Sequence, residues 1–159
     1  MKETNTHIYF YTEIYSNWNR CSFKDPLSQI TFSNSEQCFM WYKATFFQDF
    51  EIAAKIANTP HPKENKGLGR LIKDYDDKAW ECVRLGYMVY ANYLKFSQNE
   101  DYKKELISTG NKILVEASPY DKIWGVGLDE NNIKILNKET WEGLNLLGVA
   151  LEKVRNLLK

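Results

Sequence analysis

The 159-residue chain is short of net charge, histidine and cysteine. Twenty-one basic residues balance twenty-one acidic ones, so there is no basic field to track a bare phosphate backbone or an anionic lipid surface. Any nucleotide has to be held by a local site. His7 and His61 are the only histidines, too few for a histidine-rich zinc site or a histidine-based triad. Cys21, Cys38 and Cys82 are odd in number and scattered, without the spacing of metal ligands or of a disulfide framework. No apolar run reaches membrane-spanning length, and nothing has the form of a signal peptide. Internal repeats and low-complexity segments are also missing. A cytoplasmic protein that uses neither metal nor redox cofactor and does not engage a membrane is therefore expected. Aromatic residues, by contrast, are plentiful at 14%, with five Trp and ten Tyr. That exceeds the need of a small core, and some are expected to line a pocket for a flat ligand.

With 43% hydrophobic residues, the chain suits one domain over residues 1–159 with a single core. Residues 7–12 are β-branched and aromatic and read as a strand, 16–26 as a turn-rich loop, and 29–32 as a short second strand. Apolar residues at 50, 53, 54 and 57 have the spacing of one helical face. Pro62 opens another helix that Gly67 and Gly69 close, leaving Arg70 beside a loop. Asp76 or Asp77 caps the longest helix, about 78–96, with Trp80, Val83, Tyr87, Tyr90, Ala91 and Leu94 inward. Asn99 starts a further helix that Gly110 ends. A third strand is expected at 112–116, then a loop over 118–127, then a last helix capped at Thr140 or its neighbour with Leu144, Leu147, Leu151, Val154 and Leu158 on its stripe. The class is α+β, a predominantly helical single domain with a small sheet.

The chain is organised around residues 31–44. Ser33, Asn34 and Ser35 can cap a first turn, and no Pro or Gly follows until the next helix. Glu36 and Lys43 stand seven residues apart, two turns on one face, with Met40 between them. Phe39, Phe46 and Phe47 make that ground apolar, and an acid and an amine on it have mobile pKa values. Two readings compete. Ser33 and Glu36 match a capping box, with Lys43 snorkelling to water, or the pair is the chemical centre of a site.

Phe10-Tyr11, Asn34-Ser35-Glu36-Gln37-Cys38-Phe39 with Lys43-Ala44, and Gly69-Arg70 fall in the order of the NADAR family, also called YbiA-like. In the same register follow Trp80, Met88, Lys95-Phe96, Thr109-Gly110, Leu114-Val115-Glu116, Asp121, Trp124-Gly125-Val126-Gly127 and Asn145-Leu146-Leu147-Gly148. The chain thus resembles that family over nearly its whole length. The resemblance implies an N-glycosidase that cleaves between ribose C1′ and a base nitrogen, on ADP-ribosylated guanine or on riboflavin-pathway intermediates. One position departs. Gln37 stands where many relatives have histidine, and an amide neither titrates near neutrality nor donates a proton as a cation.

Breaking such a bond develops positive charge on the sugar, so the site needs an anion, a nucleophile and a grip on the base. Glu36 can supply the anion and orient water. Lys43 can attack C1′ and pass through a Schiff base if its amine is partly neutral, which apolar surroundings favour and a close glutamate opposes. By resemblance Asp121 is a third catalytic group; as a sequence feature it is also an ordinary turn aspartate. Trp80 and Trp124 are candidates for stacking on a base, worth about 1–3 kcal/mol per base, against core packing. Gly125 and Gly127 can present backbone N–H groups to a phosphate, and Arg70 can offer a guanidinium fork or be simply solvated. By resemblance Asn145 faces the site. The substrate that fits this inventory best is an ADP-ribosyl group on guanine, free or carried by DNA. Hydrolysis of a phosphoribosylamino-pyrimidine precursor of riboflavin is the alternative. A non-catalytic ADP-ribose or nucleotide-binding module is a rival of another class, which would tolerate loss of charge at 36 and 43.

Overall fold

The computed structural model describes residues 1–159. Its elements run β1 (Lys2–Glu3), β2 (His7–Phe10), β3 (Phe23–Lys24), β4 (Thr31–Phe32), α1 (Ser35–Phe46), α2 (Phe50–Ala57), α3 (Pro62–Gly69), α4 (Asp77–Ser97), α5 (Glu100–Ser108), β5 (Ile113–Glu116) and α6 (Leu146–Leu158). The fold is α+β and mostly helical. The chain divides into two compact units, residues 1–16 with 100–159, and residues 17–99.

The first unit holds a three-stranded mixed sheet. β2 pairs antiparallel with β1 and parallel with β5, His7 opposite Ile113 and Phe10 opposite Glu116. Its core gathers Tyr9, Val115, Ala117, Val126, Leu128 and Ile135, each large apolar member contributing about 1.5–3 kcal/mol by leaving water. α6 packs on β5 through Leu147, Ala150, Leu151 and Val154. The buried Arg155 ties the helix down by donating from Nη1 to Thr109 Oγ1 and to the Lys112 carbonyl, both at 2.8 Å. This helix starts later than the leucine spacing suggests. Thr140 ends a 3-10 turn, Leu144 is exposed, and Asn145 is the cap.

The second unit is helical around α1, which packs against α2, α3 and α4. The segment read as a loop at 16–26 contains β3, paired with β4 as a two-stranded hairpin with Phe23 opposite Phe32. Asp49 caps α2 by accepting from Ile52 N at 3.1 Å, and Asp76 caps α4 by accepting from Ala79 N at 3.1 Å, as short acidic side chains do at free helix N–H groups. Two helical faces differ from expectation. α2 buries Ile52, Ala53 and Ile56, while Phe50 is exposed. α4 buries Trp80, Arg84, Met88, Ala91, Asn92 and Lys95, with Val83, Tyr87 and Tyr90 only half-buried at its flank. In α4 the reason is that Arg84, Asn92 and Lys95 occupy part of the inward stripe, which hydropathy alone assigns to apolar neighbours.

Candidate active site around Glu36 and Lys43

The start of α1 fixes which side chains serve as caps. Asn34, in an extended conformation, is the cap and accepts from Gln37 N at 2.8 Å, while its Nδ2 donates to the Pro60 carbonyl at 2.8 Å. The helix therefore begins one residue later than a cap at Ser33 would give, and the third helical residue is 37. Gln37 accordingly does the reaching back, its Oε1 accepting from Ser33 N at 2.8 Å. Its Nε2 donates to the Ile56 carbonyl at 2.9 Å. The capping box assigned to Glu36 in sequence belongs to Gln37, whose amide needs both a donor and an acceptor end for this task.

Glu36 is buried at 6% exposure, and its backbone N–H donates to the Asn17 carbonyl at 3.1 Å. A polar network sits in the same ground. Ser35 Oγ donates to Asn92 Oδ1 at 3.3 Å, and Asn92 Nδ2 donates to Asn17 Oδ1 and to the Met88 carbonyl, each at 3.1 Å. Asn17 and Asn92 thus position the first turn of α1, a role that sequence reading missed. The signal was an asparagine at 92 between Ala91 and Leu94 on the inward side of the helix, where an unpaired amide would be costly.

Two turns along, Lys43 Nζ donates to the Gly69 carbonyl at 3.0 Å and lies 4.4 Å from the centroid of the Tyr75 ring. Gly69 also packs close to Met40, where a Cβ would stand 2.2 Å from Met40 Sδ and oblige that side chain to move. Burial lowers the Lys43 pKa, while the Glu36 and Asp77 carboxylates oppose that shift and the Arg70 guanidinium adds to it. Glu36 and Arg70 are therefore each within electrostatic reach of Lys43. Arg70 itself is exposed and ends α3. Trp80 is buried, with its ring stacked at 5.6 Å on Tyr87 and 5.3 Å from Phe39. The arrangement offers a buried carboxylate, an amine biased toward its neutral form and an exposed guanidinium, a set able to stabilise a cationic sugar, attack carbon and hold a phosphate.

The remaining candidates all lie in the first unit. Asp121 Oδ1 accepts from Ile123 N at 3.0 Å and Trp124 N at 2.8 Å, which shapes the start of the loop. Trp124 is half-buried. At Gly125 a Cβ would lie 2.9 Å from the Asp121 carbonyl oxygen, so the loop closes only on glycine, and Gly127 has φ of +71°. Asn145 is 4% exposed and left-handed at φ 53°. Its Oδ1 accepts from Glu116 N at 3.0 Å and its Nδ2 donates to the Leu114 carbonyl at 2.8 Å. Nowhere are three or more His, Cys, Asp or Glu side chains grouped to hold a metal ion, and no helix is long and apolar enough to cross a membrane.

Comparison with known proteins extends these observations. A protein named N-glycosidase R617, from Acanthamoeba polyphaga mimivirus, is 36% identical over 164 residues, 96% of each chain. A chloroplastic riboflavin biosynthesis protein of maize, PYRR, is 34% identical over 106 residues, 67% of this chain and 14% of that one. The NMR structure of the Escherichia coli protein YbiA superposes with a TM-score of 0.78 at 26% identity, covering 99% of this chain and 87% of that one. The NADAR domain model matches residues 6–159, and the chain belongs to the NADAR family.

Proposed function

We propose that this protein is a hydrolase of N-glycosidic bonds, cutting between ribose C1′ and a base nitrogen. The observation that carries the proposal is a buried Glu36 relieved of capping by Gln37 and coupled to a half-buried Lys43. Similarity over 96% of its length to a protein named N-glycosidase supports it. In this reading Glu36 stabilises the developing cation at C1′ and orients the attacking water, and the base leaves with the bonding pair. The lowered pKa of Lys43 favours a second route. There the neutral amine attacks C1′ as the base departs, the sugar ring opens to an imine, and water then hydrolyses the imine and frees Lys43. Asp121, Trp124, Gly125 and Gly127 are proposed to shape the substrate side of the first unit, and Trp80 to back the second. Asn145 is proposed as the brace that holds β5 and the loop in position.

The proposed substrate is an ADP-ribosyl group on guanine, as nucleoside or in DNA. Arg70 supports it, an exposed phosphate anchor whose charge reaches the amine. The phosphoribosylamino-pyrimidine precursor is the rival, with the maize relative's name behind it. Free cysteines at 21, 38 and 82 support a reducing, cytoplasmic setting, and a family model that runs through both units supports residues 1–159 as one working domain. The test is parallel incubation with ADP-ribosyl-guanosine and the pyrimidine precursor at equal concentration, with mass analysis of the released base. Faster release from ADP-ribosyl-guanosine is expected. Faster release from the precursor reverses the substrate assignment, and binding without release from either reduces the protein to a binding module. Borohydride added during turnover traps a sugar on Lys43 only if the imine route operates.

A further inference from the structure

One side of the second unit carries an aromatic trough that the chemistry above does not use. Its main part, about 450 Å³, is lined by Leu27, Tyr42, Tyr87 and Tyr90 along with Cys82. A smaller hollow of about 280 Å³ shares Leu27, Tyr42 and Tyr87 and adds Trp41. Leu27 is 76% exposed, so the trough is open at its rim. The combined size is that of small-molecule sites, which are usually apolar with a few fixed polar groups.

What lies behind the rings gives the trough a sign. Tyr42 donates to Asp25 Oδ2 at 2.6 Å and Tyr90 donates to Asp25 Oδ1 at 2.8 Å. Asp25 has no exposed surface, and its other donors are Ser28 Oγ, Ser28 N and Leu27 N. Five neutral donors and no cation hold this carboxylate. Desolvation works to raise its pKa, but the hydrogen bonds from Ser28, Tyr42, Leu27 and Tyr90 outweigh it and bring it down to about 2, so it is an anion at any physiological pH. A phenol that donates to an anion is polarised toward its ring, and an aromatic face already attracts positive charge. Tyr42 and Tyr87 stack at 5.3 Å, while Tyr42 and Tyr90 meet edge to face at 5.6 Å. No Lys, Arg or His lines either hollow.

We propose that this trough binds a small organic cation, an alkylammonium head with an apolar body, seated against the tyrosine rings in front of the buried Asp25 carboxylate. A neutral ligand would gain only the apolar contact. The head would be held through ring faces rather than by direct contact with the carboxylate, the manner in which aromatic cages take quaternary ammonium groups.

The test uses the full chain and two probes of nearly equal shape, choline and its neutral carbon isostere 3,3-dimethyl-1-butanol. Titration is followed by the NMR shifts of the tyrosine ring protons. Saturable shifts at Tyr42 and Tyr87 with choline are expected, with the neutral isostere bound about tenfold more weakly, the loss of one cation–π contact reinforced by the field of a buried anion. Tyr87→Leu abolishes the difference between the probes and Tyr87→Phe keeps it, with far-UV circular dichroism checking that both are folded. Equal affinity of the wild-type protein for the two probes overturns the proposal, as does a preference for choline over the neutral isostere that survives Tyr87→Leu, or shifts that never saturate.

Discussion

Replacing Asn145 by alanine separates bracing from substrate contact at a residue that family resemblance assigns to the site. In the structure its side chain closes two backbone positions of β5, accepting from Glu116 N at 3.0 Å and donating to the Leu114 carbonyl at 2.8 Å. Removing it leaves a donor and an acceptor without that partner, each costing about 1–3 kcal/mol where water does not replace the bond. The backbone adds to this, because at φ 53° alanine in the left-handed region costs about 1 kcal/mol that asparagine largely avoids. The expected loss is about 3–7 kcal/mol, a fifth or more of the roughly 5–15 kcal/mol available to a folded domain. Asn145→Gly loses the same two bonds but carries no left-handed strain, so it should be more stable than Asn145→Ala by about 1 kcal/mol, the reverse of the order on an ordinary helix. Urea unfolding followed by far-UV circular dichroism reads both through the shift in midpoint at constant slope. A wild-type midpoint in Asn145→Ala together with lost turnover would refute the bracing argument and make Asn145 a substrate contact.

Glu36→Gln should keep its urea midpoint, since Gln37 and Asn34 make the cap, while turnover drops by about 10²-fold or more; undiminished turnover would remove the carboxylate from the chemistry. The amine of Lys43, lowered by burial and raised again by Glu36 from its ordinary 10.5, should titrate below that value in the wild type and lower still in Glu36→Gln. Acylation rates against pH, read by peptide mass mapping, test the order, and a midpoint that rises when the carboxylate is removed contradicts it. Asp25, brought down to about 2 from 3.8 by its hydrogen-bond donors despite desolvation, stabilises the fold fully above pH 3.8. That contribution, at most about 2 kcal/mol and less after screening, is lost as the pH falls toward 2. Asp25→Asn should flatten the acid limb of the stability curve in that window, and an unaltered limb would show that the carboxylate has no special hold.

Local features were legible and distant ones were not. The cap of α4, read as Asp76 or Asp77, the proline at the start of α3 and the strands read at 7–12 and 112–116, found at 7–10 and 113–116, follow from side-chain chemistry that acts within four residues. The inward face of α4 was misread because Arg84, Asn92 and Lys95 are buried on it. Asn92 is accommodated inside partly because Asn17, 75 residues away in sequence, accepts from its amide, and Ser35 donates to its oxygen. No hydropathy pattern contains that fact, since the cost of burying an amide depends on a partner that folding supplies.

The pairing of Glu36 with Lys43 shows how far spacing can go and where it stops. Seven residues on one helix put both on one face by geometry alone, whatever the rest of the molecule does. Whether the face carries chemistry depends on two further facts. The first is the position of the cap: with Asn34 as cap, the helix frame hands the reach back to Ser33 N to Gln37, and Glu36 is buried beside it. A cap at Ser33 would have reversed those roles, and the sequence offers oxygen-bearing side chains at both positions. The second is the environment of the amine, made by the Gly69 carbonyl and the Tyr75 ring from segments 26 and 32 residues downstream. The Gly-Arg pair reads in sequence as a helix stop followed by a phosphate-binding arginine. In the structure the glycine takes part as well as the arginine, because its backbone carbonyl accepts from Lys43 Nζ while its neighbour's charge helps to lower the amine's pKa.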